Sequence, residues 1–192
     1  MPSPSGVSSL VADLGRALEG VRWCLIGAQA AVIYGSTRAT LDVDASVAIP
    51  EHERERLLHR LEMERFHPRI EEPLEFAART RVLLLVHRPT AIPVDLVLAG
   101  AGIEEEFLAR AHLIDLDGTN VPVISPEDLV ASKMLAGRPR DLEDVESVLR
   151  RRRGVDLAEV RDLLVIFEQA LDRSDLLTEL DRIVGRIAKG PS

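Results

Sequence analysis

The spacing of apolar residues changes repeatedly along the first two thirds of the chain, between the periods typical of helices and of strands. Strands are predicted where short apolar or alternating segments end at glycine or proline: VRWCLIG, LDVDASVAI, RVLLLVH, IPVDLVLAG and VPVI. Helices are predicted where apolar residues recur every three or four positions: Ser9–Leu18, AQAAVIYG, PEHERERLLHRLEME and IEEEFLARAHLI. Because helices and strands are interspersed, this part is expected to form a mixed sheet flanked by helices.

The rest of the chain has helical spacing only. Its first helix, SPEDLVASKMLAG, has a strong start signal, because Ser125 can cap it and Pro126 fits its first position. Asp128 lies three residues after that cap, and Gly137 is expected to end the helix. Three further helices are predicted over RDLEDVESVLRRRR, LAEVRDLLVIFEQAL and SDLLTELDRIVGRIAK.

These elements predict an α/β (α+β) protein that ends in a helical bundle. We expect a disordered leader over residues 1–8, an α/β core over residues 9–124, and a helical region over residues 125–192 that packs on the core. No apolar run approaches the roughly 18 residues that a membrane-spanning helix needs. The N-terminus lacks a signal-peptide pattern, so a soluble cytoplasmic protein is expected.

The amino-acid composition argues against some classes of function. Hydrophobic residues make up 46% of the 192 residues, enough for a sizeable core. A net charge of −8 argues against a protein that coats nucleic acid, and 3% aromatic residues argue against stacking of single-stranded bases. The single cysteine, Cys24, lies in an apolar run, so we interpret it as a core residue of a protein in a reducing compartment.

The segment YGSTRATLDVD carries the candidate chemistry. Asp42 and Asp44 are separated by one residue in a predicted strand, so their side chains lie on one face, with Cα atoms about 7 Å apart. Asp95 lies in a second buried strand, where a charge is costly without a partner. Three such carboxylates are typical of a pair of Mg²⁺ ions in a phosphoryl-transfer site.

The residues that precede these acids are of types that can bind phosphate. Gly35 and Ser36 can present backbone N–H groups and a hydroxyl to phosphate oxygens, and Arg38 can pair with a phosphate or with an acid. Taken singly, each feature has a simpler interpretation: a solvated Asp-x-Asp loop, a Gly-Ser turn, or an edge-strand acid at Asp95. Their order along the chain favours a two-metal phosphoryl-transfer site over these simpler interpretations.

The motif GSTRATLDVD resembles motif I of the nucleotidyltransferases related to DNA polymerase β. With its flanks, LIGAQAAVIYGSTRATLDVDASV resembles the abortive-infection (AbiEii-like) nucleotidyltransferase toxins, and SPEDLVASKMLAGRPRDLEDV resembles a C-terminal motif of the same family. The resemblance covers roughly residues 20 to 150. It implies that Lys133 reaches the triphosphate and that Asp141 orients the lysine or supports the site; Asp144 is a weaker candidate.

The resemblance also implies a reaction, the magnesium-dependent transfer of a nucleoside monophosphate from a triphosphate to an acceptor hydroxyl. In the toxin family the acceptor can be the 3′ end of a tRNA, and a cognate antitoxin protein can be a partner. Two alternatives stay open: transfer to a small molecule of the aminoglycoside type, and a non-catalytic nucleotide-binding module. The basic run LRRRRG can touch RNA, but a solvated helix end is the simpler interpretation.

Overall fold

The computed structural model describes residues 4–38, 40, 42–151 and 154–189. The chain divides into two compact units. The first contains Met1–Gln29 and Ala39–Ile124, and the second contains Ala30–Arg38 and Ser125–Ser192. Part of the predicted leader (residues 1–3) and two arginines of the basic run (residues 152 and 153) lie outside the described residues.

Within the described residues there are seven strands and nine α-helices. The strands are β1 (Trp23–Ile26), β2 (Val43–Val47), β3 (Phe66–Pro68), β4 (Val82–His87), β5 (Ile92–Leu98), β6 (His112–Leu116) and β7 (Thr119–Val123). The helices are α1 (Pro4–Ala17), α2 (Gly27–Ile33), α3 (Arg54–Met63), α4 (Pro73–Thr80), α5 (Ile103–Ala109), α6 (Pro126–Ala136), α7 (Pro139–Arg151), α8 (Leu157–Leu171) and α9 (Leu176–Lys189). None of these helices is both long and apolar enough to cross a bilayer.

The strands form one mixed sheet in the first unit, in the order β3-β4-β5-β2-β1-β7-β6. Strand β2 pairs in parallel with β5, and β1 pairs in parallel with β7; the other neighbours are antiparallel. Alternate residues of the central strands are fully buried, for example Ala45, Leu85 and Leu96. The residues between them, which include Asp44 and Asp95, therefore point to the opposite face of the sheet.

A polar cluster joins α1 to the end of β4. The Asp13 carboxylate lies 2.9 Å from His87 Nε2 and 2.6 Å from Arg65 Nη2, and His87 Nδ1 lies 2.9 Å from the Thr90 hydroxyl. Burial raises the pKa of Asp13, but hydrogen bonds from His87 and Arg16 lower it more, so the net shift is downward. The cluster gives the buried His87 a partner at both ring nitrogens.

The second unit is helical, and its first helix begins as predicted. The Asp128 N–H donates to Ser125 Oγ at 3.0 Å, Pro126 occupies the first turn, and Gly137 ends α6 in the left-handed conformation, with φ of 63°. All four helices from α6 to α9 bury apolar side chains against one another, including Val130 of α6 and Leu164 of α8.

Two local predictions differ from the structure. Helix α1 begins at Pro4, earlier than predicted, so it includes residues assigned to the leader. The helix predicted over IEEEFLARAHLI ends at Ala109, and His112–Leu116 instead form the edge strand β6. A hairpin turn with positive φ at Asp117 and Gly118 joins β6 to β7. Asp-Gly is a strong hairpin signal, whereas the partly exposed β6 has no clear apolar alternation.

Candidate active site

Three carboxylates, Asp42, Asp44 and Asp95, form what we call the acid group. Asp44 and Asp95 are register partners in the parallel strands β2 and β5, so their side chains stand side by side on one face. Asp42 precedes β2 by one residue, and the Thr40 hydroxyl donates to its Oδ1 at 2.6 Å. The structure thus brings the two predicted strands together at the predicted acids.

Gly27, at the start of α2, makes room for the acid group. Its φ is +65°, and a Cβ atom added there would lie 2.1 Å from Asp44 Oδ2. No side chain fits in that gap without displacing the Asp44 carboxylate. The glycine that ends the predicted strand VRWCLIG therefore has a second role, which the sequence pattern did not reveal.

Asp95 has an unexpected partner in Arg69, the residue after β3. Arg69 Nη2 forms an ion pair with Asp95 Oδ1. Burial raises the pKa of Asp95, the Arg69 charge lowers it, and the Asp42 charge raises it, with a net upward shift. Sequence analysis missed Arg69, because β3 spans only three residues, Phe66–Pro68, and has no detectable period.

The chemistry of the acid group suits a hard divalent cation. It offers only carboxylate oxygens, the ligands that Mg²⁺ prefers, and the absence of a side chain at Gly27 makes room for the Asp44 carboxylate. Across residues 4–38, 40, 42–151 and 154–189, however, no three His, Cys, Asp or Glu side chains are arranged to hold a metal ion. Asp42 contacts Thr40 and Asp95 contacts Arg69, so cation binding requires these side chains to exchange partners.

A second set of polar side chains lies in the helical unit, and we call it the lysine group: Ser36, Arg38, Lys133, Arg138, Asp141 and Asp144. Lys133 on α6 is buried, with 6% of its surface exposed. Its Nζ lies 3.2 Å from Asp141 Oδ1 and 2.8 Å from Asp144 Oδ2, both on α7. A buried ammonium is stable only with such partners, so the two carboxylates fix the lysine in place.

Asp144 connects the members of the lysine group. Besides Lys133, its carboxylate accepts a hydrogen bond from the Ser36 hydroxyl at 2.8 Å and lies 3.7 Å from Arg38 Nη1. The sequence marked Asp144 only as a weaker candidate than Asp141. The structure gives it contacts to three of the residues that the sequence predicted to bind nucleotide.

Asp141 completes the lysine group. Burial raises the pKa of its carboxyl, but hydrogen bonds from Arg138 and Lys133 lower it more, so the net shift is downward. Gly35 lies next to Ser36 with φ of +111°, and a Cβ added there would lie 2.9 Å from the Arg151 Cβ. Gly35 thus allows close packing against α7, while its contact with a nucleotide remains a prediction.

The fold of the chain is similar to those of solved nucleotidyltransferases. The fold matches that of the antibiotic-resistance factor ANT(2″)-Ia with a TM-score of 0.59, at 16% identity, over 88% of this chain and 94% of that one. It also matches an antigenic nucleotidyltransferase-like protein from Paracoccidioides brasiliensis with a TM-score of 0.52, at 17% identity, over 93% of this chain and 92% of that one. A third match is the lincosamide antibiotic adenylyltransferase LnuA in its lincomycin-bound form. Its TM-score is 0.51, at 13% identity, over 76% of this chain and 95% of that one.

The sequence assigns the family. Residues 6–175 match the family described as "Nucleotidyltransferase of unknown function (DUF6036)", so the chain belongs to that family. No curated protein sequence matches it. The predicted fold class and the predicted enzyme class, nucleotidyltransferase, are confirmed, while the assignment to the AbiEii-like toxins stays a prediction.

Proposed function

We propose that this protein transfers a nucleoside monophosphate from a nucleoside triphosphate to an acceptor hydroxyl, with Mg²⁺ held by Asp42, Asp44 and Asp95. The observation that carries the proposal is the register of β2 and β5, which sets Asp44 beside Asp95 with Gly27 leaving space for the carboxylate. When bound, a pair of magnesium ions supplies charge neutralisation for the attacking and leaving oxygens.

The acid group has a further role in the proposed reaction, at the acceptor. The acceptor oxygen attacks the α-phosphorus, the bond from that phosphorus to the pyrophosphate oxygen breaks, and the pyrophosphate leaves with the bonding electrons. The hydroxyl proton passes to the carboxylate of Asp95.

The lysine group is the proposed binding site for the phosphates of the triphosphate. Lys133, Arg38 and Arg138 provide three positive charges against the two negative charges of Asp141 and Asp144, so an anion is favoured there. The Ser36 hydroxyl, which donates to Asp144 in this structure, adds a neutral donor. In this proposal Asp141 and Asp144 hold the buried lysine and do not themselves contact phosphate.

Two acceptor classes have support. The sequence resemblance supports a tRNA 3′ end, in a toxin restrained by an antitoxin protein. A small hydroxylated acceptor is supported by the charge: the chain is net −8, and Arg150 of the basic run is held by Glu146 at 2.8 Å. Among the fold matches, ANT(2″)-Ia is an antibiotic-resistance factor and LnuA is an antibiotic adenylyltransferase.

A transfer assay tests the function and separates the acceptors. The purified protein is incubated with each of four α-³²P-labelled nucleoside triphosphates, Mg²⁺, and in turn tRNA, total protein, aminoglycosides or lincosamides. Label on tRNA supports the toxin assignment, and label on a small molecule supports the alternative. An Asp42→Asn, Asp44→Asn double variant is the control, and label that persists in this variant would refute the proposed site.

A further inference from the structure

The backbone next to β3 places Arg69 in line with the acid group. The Arg69 N–H donates to the Leu84 carbonyl on β4 at 2.9 Å. Leu84 is the register partner of Asp95 on β5, and Asp95 is the register partner of Asp44 on β2. Arg69 is therefore anchored at the end of one row of residues that crosses the sheet and contains two of the three acids.

From this anchored position the guanidinium of Arg69 reaches Asp95 Oδ1. The two side chains are 34% and 35% exposed, so solvent weakens the pair without separating it. The Asp42 charge also acts on Asp95, and the Arg69 charge opposes it. Arg69 is thus the cation that balances repulsion between acids where the proposed function places magnesium.

We propose that Arg69 is a built-in competitor of the divalent cation, a positioning residue that holds Asp95 until the cation arrives and lowers cation affinity before then. This inference rests on the proposed function of the acid group. Its basis is that the Asp95 carboxylate already forms an ion pair with the guanidinium, and that a positive charge repels a nearby divalent cation.

The competition has two measurable consequences. Without Arg69, the acid group is more negative and Asp95 has lost its ion pair, so a divalent cation binds there more tightly. The metal-free protein without Arg69 loses the balancing charge, so repulsion between Asp42 and Asp95 lowers its stability. Addition of the cation then restores more stability to the variant than to the native protein, because the cation binds only the folded state.

Binding of Mn²⁺ to the full chain tests this, by electron paramagnetic resonance and by thermal unfolding, with no nucleotide present. We expect Arg69→Gln to bind Mn²⁺ about three- to fivefold more tightly than the native protein, the factor equivalent to the upper part of the range for a partly exposed ion pair. Arg69→Lys keeps the charge and is expected to stay within about twofold of native affinity. Arg79→Gln removes an exposed arginine that pairs with Glu75 on α4, and it is the matched control, expected to change nothing.

The results separate this inference from the proposed function. If the native protein binds Mn²⁺ and Asp44→Asn weakens that binding, the acid group is a cation site. In that case, unchanged or weaker binding by Arg69→Gln overturns the competitor role alone. If Asp44→Asn leaves Mn²⁺ binding unchanged, the proposed metal site and the role of Arg69 both fall. A larger Mn²⁺-induced rise in Tm for Arg69→Gln than for native protein is the result expected with tighter binding, and an equal or smaller rise overturns the role.

Discussion

Replacement of Lys133 by methionine removes the positive charge from the lysine group and keeps a long apolar stem. The change leaves the buried carboxylates of Asp141 and Asp144 without the ammonium that lies 3.2 and 2.8 Å away. Loss of one partner of a buried ion pair costs roughly 3–5 kcal/mol. Arg138 and Ser36 still contact the two acids, so we expect the lower limit, about 3 kcal/mol at pH 7.

The pH dependence of this loss provides a stricter test. The folded-state pKa of Asp141 is lowered, so its contribution to stability is present above the unfolded-state pKa of about 3.9 and is lost as pH falls through the folded value. Lys133→Met removes one cause of that shift. The stability difference between native protein and variant should therefore be largest near neutral pH and shrink as pH falls below about 4.

Urea unfolding followed by circular dichroism measures both effects, and Lys189 supplies the control. Lys133 and Lys189 are the two lysines of the sequence, and Lys189 is an exposed residue at the end of α9. Lys189→Met is expected to stay within about 0.5 kcal/mol of native stability. A Lys133→Met protein as stable as native, or one whose deficit is the same at about pH 2.5 as at pH 7, would show that the buried pair is not formed.

Three further predictions concern other parts of the molecule. The Asp42→Asn, Asp44→Asn double variant should lose nucleotidyl transfer yet unfold at the same or a higher temperature, because like charges are removed from a metal-free site; a fall in Tm with activity retained would contradict this. Gly27→Ala should be less stable than Gly20→Ala by about 1–3 kcal/mol in denaturant unfolding. Both glycines have positive φ, but only a side chain at position 27 would clash with a carboxylate. Equal losses of stability in the two variants would refute the clash. Asp13→Asn should lower the free energy of unfolding by about 1–3 kcal/mol at pH 7. Because the folded-state pKa of Asp13 is lowered, this difference should become smaller below about pH 4. Urea unfolding curves measured between these pH values check it.

The acid group could be predicted because its pattern is local to two strands. One residue between Asp42 and Asp44 fixes their common face, and the apolar neighbours of Asp95 mark it as a costly charge. The pairing of β2 with β5, which sets Asp44 beside Asp95, joins segments about fifty residues apart, and no periodicity within either strand specifies that partner.

The contacts around Lys133 and Arg69 were harder to predict for a similar reason. The helical spacing placed Lys133 on α6, but Asp141 and Asp144 lie on a different helix, so the burial of the lysine follows from helix packing that its own pattern does not contain. Arg69 follows a three-residue strand that is recognisable only through its pairing with β4. Their ion pairs became visible only when those elements were assembled.

The membership of Ala30–Arg38 in the helical unit has a consequence for any attempt to divide the protein. A fragment cut before Ser125 would keep Ser36 but lose Asp144, the acceptor of its hydroxyl, and the complementary fragment would contain Asp144 without Ser36. The first product would carry a segment without its partners, and the second would lack part of its own unit, although the sequence pattern changes abruptly at that position. Truncated proteins that end there are expected to be prone to aggregation, whereas co-expression of both pieces allows the short segment to dock on its helices.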